Sequence, residues 1–212
     1  MLKVSHVGVY NIENAIRGMR NPLSSWDKSD SFGDSITYYT NERLVDQFNK
    51  YELGDKDLDL AKRLVSSGTD HGKFLRQILV SVDIEAPLYW WKEADTYKVG
   101  TVANSTSTMH TIMKKEFSED MFSFDCLTET NKEIILHMLN ELRKDYLETK
   151  SKDTWRELIQ VLPNSFNQLR TVTLNYQVLR NMYHSRRNHK LFEWHTLCDW
   201  IETLPYSELI TM

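Results

Sequence analysis

Leu162–Glu202, LPNSFNQLRTVTLNYQVLRNMYHSRRNHKLFEWHTLCDWIE, sets a helix breaker, a strand-like run and two helical segments in succession. Its Leu162-Pro163 pair closes whatever helix precedes it, because proline lacks the amide hydrogen a continuing helix needs. A strand-like run follows as far as Asn175. Tyr176 then opens two helical segments carrying Arg186, His189 and Glu193. Leu191, Trp194, Cys198 and Ile201 recur at helical spacing and are expected to face a core. The cations Arg186, Arg187 and Lys190 with His189 admit two readings, a solvated helix face or a ligand grip. Glu193, three residues after Lys190 and four after His189, has the spacing of routine intrahelical pairs worth about 0.2 to 0.5 kcal/mol.

Working outward, the run from Ile78 to Glu85 alternates with β-branched residues and reads as the best strand of the chain. Ala86-Pro87 fits a helix start, since the first turn tolerates proline, and a helix to about Ala94 would bury Trp90 and Trp91. Leu2–Tyr10 reads as a further strand and Asn14–Met19 as a short helix. Residues 21–34 read as an ordered, turn-rich loop. Thr40 is placed as the cap of a helix reaching about Tyr51, with Leu44, Val45 and Phe48 on one face and Gly54 as a left-handed stop. A helix follows over Asp57–Ser66.

In the block Asp95–His110, Gly100 is followed by Thr101, Asn104, Ser105, Thr106, Ser107 and Thr108 with almost no large apolar residue. This hydroxyl-rich block reads as a loop, with a polar pocket as the alternative. Asn131–Thr149 carries Ile134, Ile135, Met138, Leu139, Leu142 and Tyr146 at helical spacing and is expected to be scaffold. Trp155–Val161 is a short helix ended by Pro163. The turn-rich stretch from Glu116 to Thr130 is the best candidate for a boundary, yet 212 residues with 4 Pro and 7 Gly are read as one domain, 1–212, without a flexible linker. Such a pattern gives an α+β fold, a small antiparallel sheet packed with several helices.

Composition excludes several classes. A net charge of -4 gives no general reason to expect nucleic-acid binding. No apolar run approaches membrane-spanning length, and Cys126 and Cys198 lie far apart, so a reducing cytoplasm is the expected setting. Neither histidines nor cysteines have metal-ligand spacing, and no glycine-rich phosphate loop or Gly-x-Ser-x-Gly elbow occurs. Tryptophan is the compositional surplus, 6 in all. Each is either core packing or part of a flat wall against a planar ligand.

Ser81-Val82-Asp83-Ile84-Glu85-Ala86-Pro87, Leu162-Pro163 with Asn175 at its spacing, and Arg186 with His189 to Glu193 together resemble the flavin-dependent thymidylate synthases, in a divergent form of a kind expected in phages and Gram-positive bacteria. The resemblance covers roughly Gly68–His110 and Leu162–Glu202, with further support at Ala15–Arg20. It implies methylation of deoxyuridylate or a related pyrimidine nucleotide at C5, with methylenetetrahydrofolate as donor, reduced FAD supplying the hydride and NADPH reducing the flavin. It also implies a homotetramer with sites between subunits. By resemblance Arg186 binds and polarises the pyrimidine, and Asn175, Gln177, Lys98, Tyr97 and His189 hold the flavin. Ser105, Thr106, Ser107, Thr108 and Arg17 are the candidates for holding the nucleotide.

The chain departs from the family pattern at definite positions. The Arg-His-Arg that grips flavin falls on Thr96-Tyr97-Lys98. The Glu, Ser, Arg and Tyr that hold the nucleotide fall on Asn104, Thr106, Thr108 and Met109, and Asn-x-Arg becomes Asn175-x-Gln177. Each lost arginine removes charge-assisted hydrogen bonds of about 1.5 to 3 kcal/mol. A protein that keeps the fold and binds a nucleotide or flavin without catalysis, such as a phage accessory protein, is therefore the alternative.

Overall fold

The computed structural model describes residues 2–40 and 43–212, and the side chains of all of these except 34–50. Strand β1 (Lys3–Tyr10) leads into α1 (Ile12–Met19). Strands β2 (Phe32–Thr40) and β3 (Arg43–Glu52) pair antiparallel as a separate sheet, and α2 (Asp55–Ser66) follows. A 3-10 segment (Gly72–Gln77) precedes β4 (Leu79–Pro87) and α3 (Leu88–Ala94). Next come β5 (Val102–Ser105) and α4 (Thr108–Thr111). Helices α5 (Glu129–Thr149) and α6 (Lys152–Val161) precede β6 (Asn167–Asn175), and α7 (Tyr176–Arg186), α8 (Phe192–Glu202) and α9 (Glu208–Thr211) close the chain.

The main sheet is antiparallel throughout, in the order β1-β4-β6-β5. Its register sets Val80 opposite Leu174 and Val82 opposite Val172. Because side chains alternate along a strand, Val80, Val82, Ile84 and Ala86 share one buried face with Val172 and Leu174. Helices α1, α3, α7 and α8 contribute Ile16, Trp90, Leu179 and Trp194 to the same core. A second apolar cluster, built from Phe117, Phe122, Phe124, Leu139 and Leu158, lies under α5 and α6. The strands expected over Leu2–Tyr10 and from Ile78 are β1 and β4, and α3 buries both tryptophans as expected.

Three expectations need correction. The helix placed over Thr40–Tyr51 is strand β3 along Arg43–Glu52, paired with the β-branched and aromatic run of β2. Side chains at Leu44, Val45 and Phe48 lie outside the described residues. Gly54 is no left-handed stop, since it begins α2 with φ −74°. The Asp95–His110 block, read as a loop, contains edge strand β5, whose bonds to β6 set Ser105 against Arg170. Finally, α5 forms as expected, but Ile134 and Met138 are 60% and 40% exposed, and Leu139 is its one buried residue among those described. No helix of the described residues is long and apolar enough to cross a membrane.

Candidate functional site

Asn175 turns the chain from β6 into α7. Its Oδ1 accepts the amide of Val178 at 3.1 Å, which caps the helix. Eleven residues on, Arg186 ends α7, where a cation also complements the helix dipole. The short turn before α8 carries His189, so that residue stands outside the helix in which it was expected.

These elements meet the C-terminal part of α3 at Glu93. Oε2 of Glu93 accepts from Trp194 Nε1 at 3.0 Å and faces Arg186 Nη1 and His189 Nε2, each at 3.3 Å. His189 Nδ1 accepts the amide of Leu191, which leaves Nε2 as the nitrogen turned to the carboxylate. Arg186 Nε donates to the hydroxyl of Tyr97 at 3.0 Å, and its guanidinium lies 5.1 Å from the Trp194 ring centroid and 5.7 Å from that of Tyr97. Held by a carboxylate, a phenol and two aromatic rings, the fork is fixed in place. Among the described residues its Nη2 has no hydrogen-bond partner. A fixed guanidinium with a spare donor can bind a carbonyl oxygen and stabilise negative charge that develops there.

Behind this cluster, Tyr89 donates to the buried carboxylate of Glu193. Burial first, then that carboxylate, pushes the Tyr89 phenol well above its usual range, so it stays a donor. Glu193 thus ties α8 to α3 from inside. The routine intrahelical pairing with His189 or Lys190 is replaced by a tertiary bond.

The structure brings Arg186, Tyr97 and His189 together, while Asn175 stands at the opposite end of α7, about 16 Å away along the helix. Gly100, at φ +78°, passes so close to Asn175 that a Cβ there would sit 3.0 Å from its Nδ2. Gln177 is on α7 and donates to Asn181, while Lys98 is exposed with no ion pair among the described residues. Ser105 and Thr106 lie exposed at and just beyond the end of β5, and Thr106 Oγ1 donates to the Leu169 carbonyl. Ser107 and Thr108 start α4 and are half-buried. Arg17 is elsewhere, on α1 over the Trp26 ring, in a cleft with Glu13, Ser29 and Tyr51.

Two residues escaped the sequence reading. Glu93 is the hub of the cluster, and its signal was the counter-ion that a half-buried Arg186 requires. Arg170, opposite Ser105, pairs with Asp95 at 2.8 Å and lies 4.2 Å from the Trp91 centroid.

For a flavin, Asn175 Nδ2, Gln177 and Lys98 supply the neutral donors and the free cation that its carbonyls and phosphates need, so the donor set fits. Thr96 and Tyr97 do not replace the family's basic pair, because Thr96 Oγ1 donates to the Glu93 carbonyl and Tyr97 is engaged by Arg186. A separate wide cleft of about 1130 Å³ carries Lys28, Lys56 and Lys73 on its walls and shares no residue with this cluster. No group of three or more metal-ligating side chains occurs among the described residues.

No protein-family model matches the sequence, and no curated protein matches it. Solved structures do. The flavin-dependent thymidylate synthase ThyX of Helicobacter pylori, complexed with FAD and dUMP, superposes with TM-score 0.68 at 19% identity, covering 97% of this chain and 98% of that one. A second structure of the same enzyme with FAD and dUMP gives 0.69 at 18% identity, over 100% and 97%. The UMP/dUMP methylase PolB of Streptomyces cacaoi, bound with 5-Br dUMP, gives 0.67 at 15% identity, over 100% and 95%. The fold implied by Ala86-Pro87 and Asn175 to Arg186 is therefore the fold the chain has, along its whole length.

Proposed function

We propose that this chain is a divergent flavin-dependent methylase of pyrimidine nucleotides, transferring a one-carbon unit from methylenetetrahydrofolate to C5 of deoxyuridylate or a close relative. The observation that carries the reading is the immobilised Arg186. For C5 to act as a nucleophile, electron density must build up across the ring and onto its carbonyl oxygens. The spare Nη2 of Arg186 stabilises that charge, and Glu93 holds the fork so that no reorganisation is needed as the charge appears. The Glu93 carboxylate also offsets the arginine charge, which suits a neutral ring.

Asn175, Gln177 and Lys98 would hold the flavin, which supplies hydride when bound and is returned to its reduced form by NADPH, while Tyr97 and His189, expected to share that task, would instead position Arg186 through Glu93 and the phenol. Ser105 to Thr108 would donate hydroxyls to the nucleotide phosphate, with Arg17 reaching the site from a second copy. A homotetramer and a cytoplasmic setting complete the proposal. Incubation with FAD followed by gel filtration tests it: a retained flavin spectrum that sharpens on adding dUMP supports the reading, and colourless protein with no dUMP affinity overturns it.

A second reading keeps the ligands and drops the catalysis. It is favoured by Thr96 and Tyr97, whose hydroxyls are both engaged within the chain. Flavin or dUMP binding without any thymidylate formed would establish it.

A further inference from the structure

Two buried side-chain polar atoms have no hydrogen-bond partner among the described residues, Trp90 Nε1 and Thr101 Oγ1. A buried donor left unpaired costs about 1 to 3 kcal/mol, so such groups call for an explanation. Both side chains line the same cavity, of about 100 Å³, between the buried face of the main sheet and helices α3, α7 and α8. Its walls are apolar and largely aromatic, with Trp91, Trp200 and Tyr97 beside Trp90, and the exposed residues Asp95 and Lys98 stand at its rim.

Size and chemistry restrict the occupant. A cavity of roughly 150 Å³ admits benzene, so one of about 100 Å³ holds a single ring after slight outward movement and excludes a fused pair. Aromatic walls favour a planar, uncharged body, since a charge would lose its hydration there. An indole N–H can only donate, so the occupant must bring an acceptor. We propose that this cavity is a binding site for one neutral six-membered ring bearing a carbonyl oxygen, with the carbonyl accepting from Trp90 Nε1 and Thr101 Oγ1 serving the neighbouring ring atom. Tyr97 borders the cavity and also accepts from Arg186. The inference stands independently of flavin binding and catalysis. The ring is either a free small molecule or the base of a nucleotide.

The test follows the Trp90 indole N–H resonance, assigned with Trp90→Phe, during titration of the intact protein with 2-pyridone, benzene, 2-quinolone and dUMP. 2-Pyridone is expected to move the resonance downfield in a saturable way, benzene to bind without that shift, and 2-quinolone to do nothing. A saturable downfield shift with dUMP assigns the ring to a nucleotide base, and its absence with 2-pyridone still active assigns a free ring. Thr101→Val, nearly isosteric, is expected to weaken 2-pyridone about 5-fold or more while leaving benzene unchanged. Ala94→Leu, which fills the cavity, should abolish both. An indole resonance unmoved by 2-pyridone, or equal 2-pyridone affinity in wild type and Thr101→Val, would overturn the proposal.

Discussion

At the scale of single residues, Arg186 and Asp57 are the two side chains whose surroundings most constrain what they do. Arg186→Lys keeps the charge and the pairing with Glu93 but loses the planar fork. Turnover should fall about 100-fold, the effect of removing one preorganised donor, with the thermal midpoint nearly unchanged. Loss of fold alone would instead lower both. Asp57 is fully buried, with Oδ1 2.5 Å from Arg20 Nε, while Oδ2 accepts from Ser29, Ser31 and the amides of Asp30 and Ser31. Burial raises its pKa, but the bonds from Ser29, Ser31 and Arg20 outweigh that and hold it below its ordinary 3.8. A depressed carboxyl contributes stability above its unfolded value and loses it as pH falls through the folded one. Acid unfolding should therefore begin below about pH 4. Asp57→Ala should cost about 3 to 5 kcal/mol in urea melts, because it leaves Arg20 buried and unpaired. It should also flatten the acid limb. A melt unchanged in midpoint would refute the role given to Asp57.

Among elements, the turn from β6 into α7 caps a helix and carries the proposed flavin donor Asn175. Asn175→Ala removes the cap and should cost about 1 kcal/mol. Asn175→Asp keeps an acceptor for Val178 and should melt close to wild type, yet lose flavin retention because the amide donor is gone. Flavin retained by Asn175→Asp would remove Asn175 from the proposed cofactor site. The element scale is also where the sequence was most and least legible. Strand β4 was visible because alternation is a local signal and the same residues fill the core. Strand β3 was not, since Leu44, Val45 and Phe48 happen to stand at helical spacing and the pairing with β2 is a tertiary fact. The short edge strand β5 was hidden by hydroxyl residues that suit loops equally well. The Arg186 site was half legible: Arg186, Tyr97 and His189 were named and do converge, whereas Glu93 sits far away in sequence, and nothing local marks it as the group that joins them.

For the whole molecule, the shared fold accounts for the arrangement of the sheet and helices but leaves apolar surface on the single chain. Val99 and Val102, beside the candidate site, are 86% and 69% exposed, and Ile134 adds another exposed position on α5. Burial of such groups stabilises association by about 25 cal/mol per Å², so light scattering should give the mass of an oligomer, expected to be four times 25.1 kDa. A monomer would contradict the placing of Arg17 in a neighbouring copy's site. The most direct measurement of the central claim is thymidylate formed from dUMP, methylenetetrahydrofolate, FAD and NADPH, followed side by side in wild type and Arg186→Lys. Product is expected from the wild type and about 100-fold less from the variant. No product from flavin-loaded wild type, or equal product from both proteins, would contradict it.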